Sequence, residues 1–266
     1  MPLDRRLFLA TLGGGALPAA PEALADALEQ RMLAALDQET GVSSLPRRGA
    51  RLPYRRGVGL AFVGDDPRDA SAVPKPLPPL PARPTLADFF AVRFARITVN
   101  HVLQSAEHAR KAGHREETIL ACLLHDLAIN LVKADHGWWG ADLVAPYVSE
   151  KVAWAIRYHQ ALRFYADPAV GYEYPALYHE IFGRDYVPPP HIAAAYKHAR
   201  EHKWYMEARL VTLSDVYAFD PKARVSIEPF LDIIGRHFRQ PEEGLGNDNS
   251  PAAHMWRTLA DPDQPL

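Results

Sequence analysis

Cysteine is almost missing from this chain. Cys122 is the one cysteine in 266 residues, so no intrachain disulfide and no multi-cysteine zinc site can form. Charge imbalance is missing too. Thirty Lys and Arg stand against 32 Asp and Glu, a formal charge of -2, which leaves no electrostatic footprint for gripping nucleic acid. No alternating strand pattern of useful length occurs. Against these absences, a hydrophobic share of 48% and a charged share of 23% are ordinary globular usage and exclude wholesale disorder. The length suits one sizeable domain, or one domain with a tail. What stands in excess is proline, at 24 residues, and histidine, at 12. Half of the proline precedes residue 85. Histidine is the commonest metal ligand and titrates near neutral pH.

The first residues read as an address. Arg5-Arg6-Leu7-Phe8-Leu9 and the apolar stretch Leu7 to Ala20 resemble a twin-arginine export signal, with Ala23-Leu24-Ala25 as a small-x-small cleavage site. The stretch is too short and too rich in glycine (Gly13 to Gly15) to span a bilayer stably. No G-K-[ST] follows those glycines, so they are not a phosphate loop. The resemblance implies a bacterial protein exported to the periplasm or beyond by machinery that carries folded, cofactor-loaded chains. Removal of residues 1–25 takes away Arg5, Arg6, Asp4 and Glu22, so the charge stays at -2.

Residues 26–84 read as a short helix and an arm. Leu28, Met32, Ala35 and Leu36 give an amphipathic helix over Asp26 to Asp37. From Gly41 to Pro84 no period survives, and six prolines crowd between Pro74 and Pro84. That density forbids helix and sheet interiors and favours extended polyproline geometry. After Pro84 the texture changes. Thr85 is a candidate helix cap. Apolar residues then recur at helical spacing over Leu86 to Ile97, Val102 to Ala112, Thr118 to Val132, Trp138 to Val148, Val152 to Tyr165, His191 to Phe219 and Ile227 to Phe238. The fold class is therefore all-α: a helical bundle over residues 85–240, a proline-rich irregular arm before it, and residues 241–266 as a C-terminal tail.

The sharpest local feature is Ala121-Cys122-Leu123-Leu124-His125-Asp126, an adjacent His-Asp pair that ends an apolar run. On a helix, neighbours lie about 100° apart, so both reach one site only at the edge of the buried stripe. A metal is one way to offset the desolvation of such an Asp. Alone, the dipeptide is equally a helix end meeting solvent. It is accompanied by His101, His136, His159 and Asp215, each within or beside a helical pattern.

The order Asn100-His101, Leu123-Leu124-His125-Asp126, His136-Gly137-Trp138-Trp139-Gly140-Ala141-Asp142-Leu143, Arg157-Tyr158-His159 and Leu213-Ser214-Asp215 resembles the HD-domain superfamily of helical metalloproteins over roughly residues 100–220. The resemblance implies an HD-domain bundle with two metals. His101, His125, Asp126 and Asp215 would hold one, and Asp126 would bridge to a second held by His136 and His159. An all-nitrogen-and-oxygen set suits iron, manganese, zinc or nickel and selects against Cu(I); iron is put first only by the branch of the superfamily that the next segments resemble.

Within that superfamily, Gly140-Ala141-Asp142-Leu143-Val144-Ala145-Pro146 and His159-Gln160-Ala161-Leu162-Arg163-Phe164-Tyr165 are similar to the mixed-valent diiron oxygenases, above all those that cleave phosphonates. This implies O2-dependent chemistry on a small anionic substrate, with Asp126 and Arg163 as catalytic groups and Arg163 and Tyr165 as its clamp. Arg163 lies one turn beyond His159 and so points the same way. A solvated Arg at a helix end is the bland alternative. Three positions depart from the pattern. Ile129 stands where many phosphohydrolases carry Lys and the phosphonate enzymes often carry His, Phe94 where phosphonate oxygenases carry an acid, and Phe219 where inositol oxygenases carry Lys. A metal-dependent phosphohydrolase is the second expectation, and a degenerate HD protein that only binds metal or ligand the third.

Other motifs carry less. His198-Ala199-Arg200-Glu201-His202 matches an inverted zincin pattern, but Lys197, Arg200 and Lys203 around it read as a solvated helix face. His108 shares a face with His101 and reads as packed or as a neighbour of the ligands. Cys122 reads as a small buried hydrophobe. Tyr172, Tyr174, Tyr178, Tyr186, Trp204 and Tyr205 fall between the fourth and last ligand segments, either as a lid or as the packing of an extra subdomain.

Overall fold

The computed structural model describes residues 77–261, apart from 133–134, 176–177, 180–182, 217, 219 and 221. These residues lie in the compact unit formed by residues 53–266. The export-signal reading, the helix over 26–37 and the arm up to residue 76 lie outside the described residues.

Among the described residues the regular structure is helical and no strand is present; the nearest thing is an isolated bridge between Asp167 and Tyr172. The chain runs α1 (Leu86–Val92), α2 (Arg96–Lys111), α3 (Glu116–Leu124), α4 (His136–Val144), α5 (Glu150–Arg163), α6 (Pro190–Glu201), α7 (Tyr205–Asp215), α8 (Leu231–His237) and α9 (Ala253–Ala260). No helix in this set is long and apolar enough to cross a membrane.

Local chemistry explains the starts. Thr85 caps α1 in a reciprocal box: its hydroxyl accepts from the Asp88 N–H, and its own N–H donates to the Asp88 carboxylate at 2.8 Å. Ser149 caps α5 by accepting from the Val152 N–H. Helix α3 begins with Glu116 and Glu117, acids that favour the positive end of the helix dipole. It is otherwise so apolar that every residue from Thr118 to Leu124 is buried. It forms the centre around which α2, α5 and α7 pack.

Two long helical patterns are broken. The pattern over Thr118 to Val132 stops at Leu124, then turns through His125 and Asp126 into a 3-10 turn over Leu127–Asn130. The pattern over His191 to Phe219 breaks at His202, whose backbone is extended (φ -85°, ψ 147°). There the His202 ring stacks on Trp154, with centroids 4.5 Å apart. Its Nδ1 accepts from the Trp204 N–H at 3.2 Å. In the inverted zincin pattern His198, Arg200 and Glu201 are exposed, the solvated face that the charged surroundings suggested, whereas His202 at the helix end is stacked on an indole.

The described part of the C-terminal segment, residues 241–261, is not a tail. Leu245, Ala252, Trp256 and Leu259 belong to the main core with Leu86, Phe89 and Phe94. Trp256 is fully buried, meets Phe89 edge-on at 4.9 Å and donates its indole N–H to the Leu143 carbonyl at 3.0 Å. Gly244, at φ +93°, brings the returning chain against the end of the arm, where a Cβ would lie 2.5 Å from Pro84 Cδ. This segment has one short amphipathic helix amid Pro, Gly and Asn, too little periodicity for a pattern search to seize. Removing the Trp256 side chain should cost about 3–5 kcal/mol. Denaturant unfolding of Trp256→Ala should show that loss, whereas a true tail would show none.

Candidate metal centre

The break after Leu124 makes the His-Asp pair usable. His125 keeps helical angles (φ -58°, ψ -35°), while Asp126 leaves the helix at φ -105°, ψ 7°, a region often occupied by active-site residues. Both side chains therefore turn to one point instead of diverging around a helix. His101 arrives from the buried face of α2, His136 from the first residue of α4, His159 from α5 and Asp215 from the last residue of α7. Asp135, just before His136, adopts a left-handed backbone (φ 50°), which Asp tolerates better than most side chains.

All six expected ligands converge. His101 Nε2 lies 3.1 Å from Asp215 Oδ1 and 3.4 Å from Asp126 Oδ2. Asp126 Oδ1 lies 3.1 Å from His136 Nε2, 3.4 Å from His125 Nε2 and 3.5 Å from His159 Nε2. His101, His125 and Asp215, and again His125, Asp126 and His159, form groups able to hold a cation. The two oxygens of Asp126 thus face different histidines.

The ring orientations are set from behind. Nδ1 of His125 meets the Cys122 carbonyl at 2.7 Å, Nδ1 of His159 meets that of Ile156 at 2.6 Å, and Nδ1 of His101 meets that of Ala218 at 3.0 Å. A carbonyl only accepts, so each Nδ1 carries the proton there and Nε2 is left facing inward, as metal-ligating imidazoles are usually arranged. Inside, His159 Nε2, Asp126 Oδ1 and Asp215 Oδ1 are buried without a hydrogen-bond partner, an arrangement that buried polar atoms normally avoid. A metal cation fits the donor set and satisfies these atoms together.

The electrostatics make the same demand. Burial alone would raise the pKa of both carboxyls, but the imidazoles around Asp126 and the Arg163 guanidinium beside Asp215 hold them well below the usual carboxylate range. Burial alone would lower the pKa of His101, yet the Asp126 and Asp215 carboxylates beside its Nε2 raise it to about 10, so they favour a positive charge at that point. His159 is pushed down to about 4, chiefly by burial. Two ionised carboxylates in the core call for positive charge close by.

The expected substrate residues divide. Arg163 is brought to the cluster, with Nε 3.1 Å from Asp215 Oδ2 and the guanidinium 5.0 Å from the centre of the Tyr178 ring. It is not the solvated helix end of the bland reading. Tyr165 is not brought in. It lies past the end of α5, and its ring stacks on Tyr196 with centroids 3.8 Å apart. Tyr178 is the phenol beside Arg163, and only its place in the aromatic insertion hinted at it. Tyr172 and Tyr205 are packing residues instead. They wrap the fully buried Arg209, which donates to the Leu162 and Tyr165 carbonyls at 3.0 and 3.1 Å. His108 is exposed and takes no part. Cys122 is buried, as expected, and burial pushes its thiol up to about 12. Beside His101 opens a cavity of about 410 Å³ lined by Arg96, Ile97, Asn100, Gln104, Ala218 and Asp220.

Gly137 follows the ligand His136 at a place where two helices meet closely. A Cβ there would lie 3.0 Å from the Ile156 carbonyl and 3.1 Å from His159 Cε1. Its absence lets α4 approach α5 until the His136 and His159 rings are 5.3 Å apart. Gly137→Ala should destabilise the fold by about 1–3 kcal/mol and lower bound metal, read by unfolding and by elemental analysis of purified protein. Gly235→Ala, where a Cβ meets nothing within 4 Å, should leave metal content unchanged and be neutral or stabilising by up to about 1 kcal/mol.

A scan against protein-family models and a search of curated proteins each find no match to this chain. The functional reading therefore rests on the six converging side chains and their surroundings.

Proposed function

We propose that this chain is an HD-domain enzyme with two metal positions, acting as an O2-dependent diiron oxygenase on a small anionic substrate. The observation that carries the reading is the convergence of four imidazoles on Asp126, with its two oxygens turned to different histidines. This supports a carboxylate shared between two cations. His101, His125, Asp126 and Asp215 would hold one, and Asp126, His136 and His159 the other. Iron in these positions supplies O2 activation, whereas manganese, nickel or zinc supplies an activated water for phosphoester cleavage.

The chain's own residues prepare the site. Asp126 and Asp215 offset the cationic charge, and the backbone carbonyls behind three histidines orient their Nε2 atoms. Burial of all six ligands, none above 7% exposed, keeps bulk water from the reacting groups. Arg163 places a permanent positive charge at the edge of the cluster, suited to a substrate anion. The cavity beside His101, with Arg96 and Asn100 in its wall, has the volume for a small molecule. The oxygenase is favoured over the phosphohydrolase by the likeness of Gly140 to Pro146 and of His159 to Tyr165 to the diiron oxygenases. The twin-arginine-like segment supports export of a folded, metal-loaded protein to the periplasm or beyond.

Anaerobically purified protein should contain up to two irons per chain, with a coupled diiron signal in Mössbauer and EPR spectra. Asp126→Ala should lose the signal and most of the metal. A single tightly held zinc, or no iron at all, would sink the diiron reading. Phosphatase activity with manganese or nickel, lost in Asp126→Ala, would establish the hydrolase instead.

A further inference from the structure

We propose that Arg163 is a positioning residue that confines Asp215 to one metal-facing oxygen. The inference rests on the metal-centre reading above and deepens it. Asp215 is fully buried, and its two oxygens have different neighbours. Oδ1 lies 3.1 Å from His101 Nε2 and 3.8 Å from His125 Nε2. Oδ2 lies 3.1 Å from Arg163 Nε. Asp126 is the contrast, since both of its oxygens face imidazoles. One carboxylate spans two positions, and the other offers a single atom to one position.

Arg163 is held where it can enforce this. Its backbone carbonyl accepts from the Tyr172 hydroxyl at 2.8 Å, and its guanidinium lies over the Tyr178 ring. Arg209 takes the Leu162 and Tyr165 carbonyls on either side. Carbonyls of a last helical turn have no partner within the helix, and here α7 and the segment after α5 supply them. The end of α5 therefore cannot swing outward without exposing several buried polar groups. For Asp215 to chelate through both oxygens, Oδ2 would have to leave a buried cation, and breaking a buried pair is costly. Arg163 thereby preserves a coordination position beside Oδ1 for water, O2 or substrate. Its remaining N–H donors stay available to an anion, so the positioning role and the clamp role are compatible.

The test uses cobalt(II) as probe, whose visible absorption reports coordination number and geometry without turnover. The full chain, Arg163→Gln, Arg163→Met and Arg163→Lys are titrated with cobalt(II), with circular dichroism as the check on folding. Gln retains a donor and much of the bulk, so it decides the matter if Met does not fold. Arg163→Gln should bind the same number of cobalt ions as the wild type. Its visible band should be weaker and shifted to shorter wavelength, as the second Asp215 oxygen enters the coordination shell. Arg163→Lys, which restores a cation beside Oδ2, should return the band toward that of the wild type. A folded Arg163→Gln protein with the wild-type spectrum, or a Lys variant altered as much as the Gln variant, overturns the inference while leaving the metal centre standing. A wild type that binds no cobalt overturns both.

Discussion

Asp126 sits 6% exposed where four imidazole nitrogens approach it, and the helices around it are arranged to make that burial tolerable. An ionised carboxylate in a helical core is costly unless paired and hydrogen-bonded. Here the compensation comes from elements far apart in sequence: α2, the turn after α3, α4 and α5. Helix α7 adds a second carboxylate and α5 adds Arg163 to balance it. The bundle is a device for bringing each imidazole and Arg163 within about four ångströms of one of two buried carboxylates while excluding water.

That device needs precision at the end of α5, where His159 and Arg163 both reside. Thr212 on α7 donates to the His159 carbonyl at 3.3 Å. Arg209, one turn earlier on α7, binds the carbonyls that follow. The same helix ends in Asp215, so the brace and the ligand move as one body. Tyr205 relays the brace further: its hydroxyl accepts from Arg209 at 3.0 Å and donates to Asp167. The aromatic insertion between α5 and α7 thus has two roles. Tyr172 and Tyr205 stiffen the end of α5, and Tyr178 approaches the cluster beneath Arg163.

Much of this was legible in advance, and the reasons differ by feature. The helical class and Thr85 as a cap follow from apolar periodicity and from side-chain hydrogen bonding within a few residues. The six converging side chains were legible because their types and order resemble those of a known superfamily of helical metalloproteins. Tyr165 was named on a resemblance alone, and no short-range pattern records that the helix ends at Arg163 and turns the Tyr165 ring onto Tyr196. The C-terminal segment was misread because Trp256 makes its contacts with Phe89, Phe94 and Tyr147, all distant in sequence. Gly137 carried no visible signal, since the need for a missing Cβ exists only once two helices are pressed together.

The sequence by itself determined the helical class, the local caps and the inventory of His, Asp and Arg from which a site is built. These depend on interactions over a few residues, which a linear pattern records. Only the tertiary structure decided which oxygen of each carboxylate faces which nitrogen. It also decided that Arg163 is spent partly on Asp215, that Tyr178 rather than Tyr165 lies beside it, and that the last twenty residues described complete the core. Those outcomes depend on helix ends, crossing distances and long-range burial, none of which is a property of any short stretch of chain.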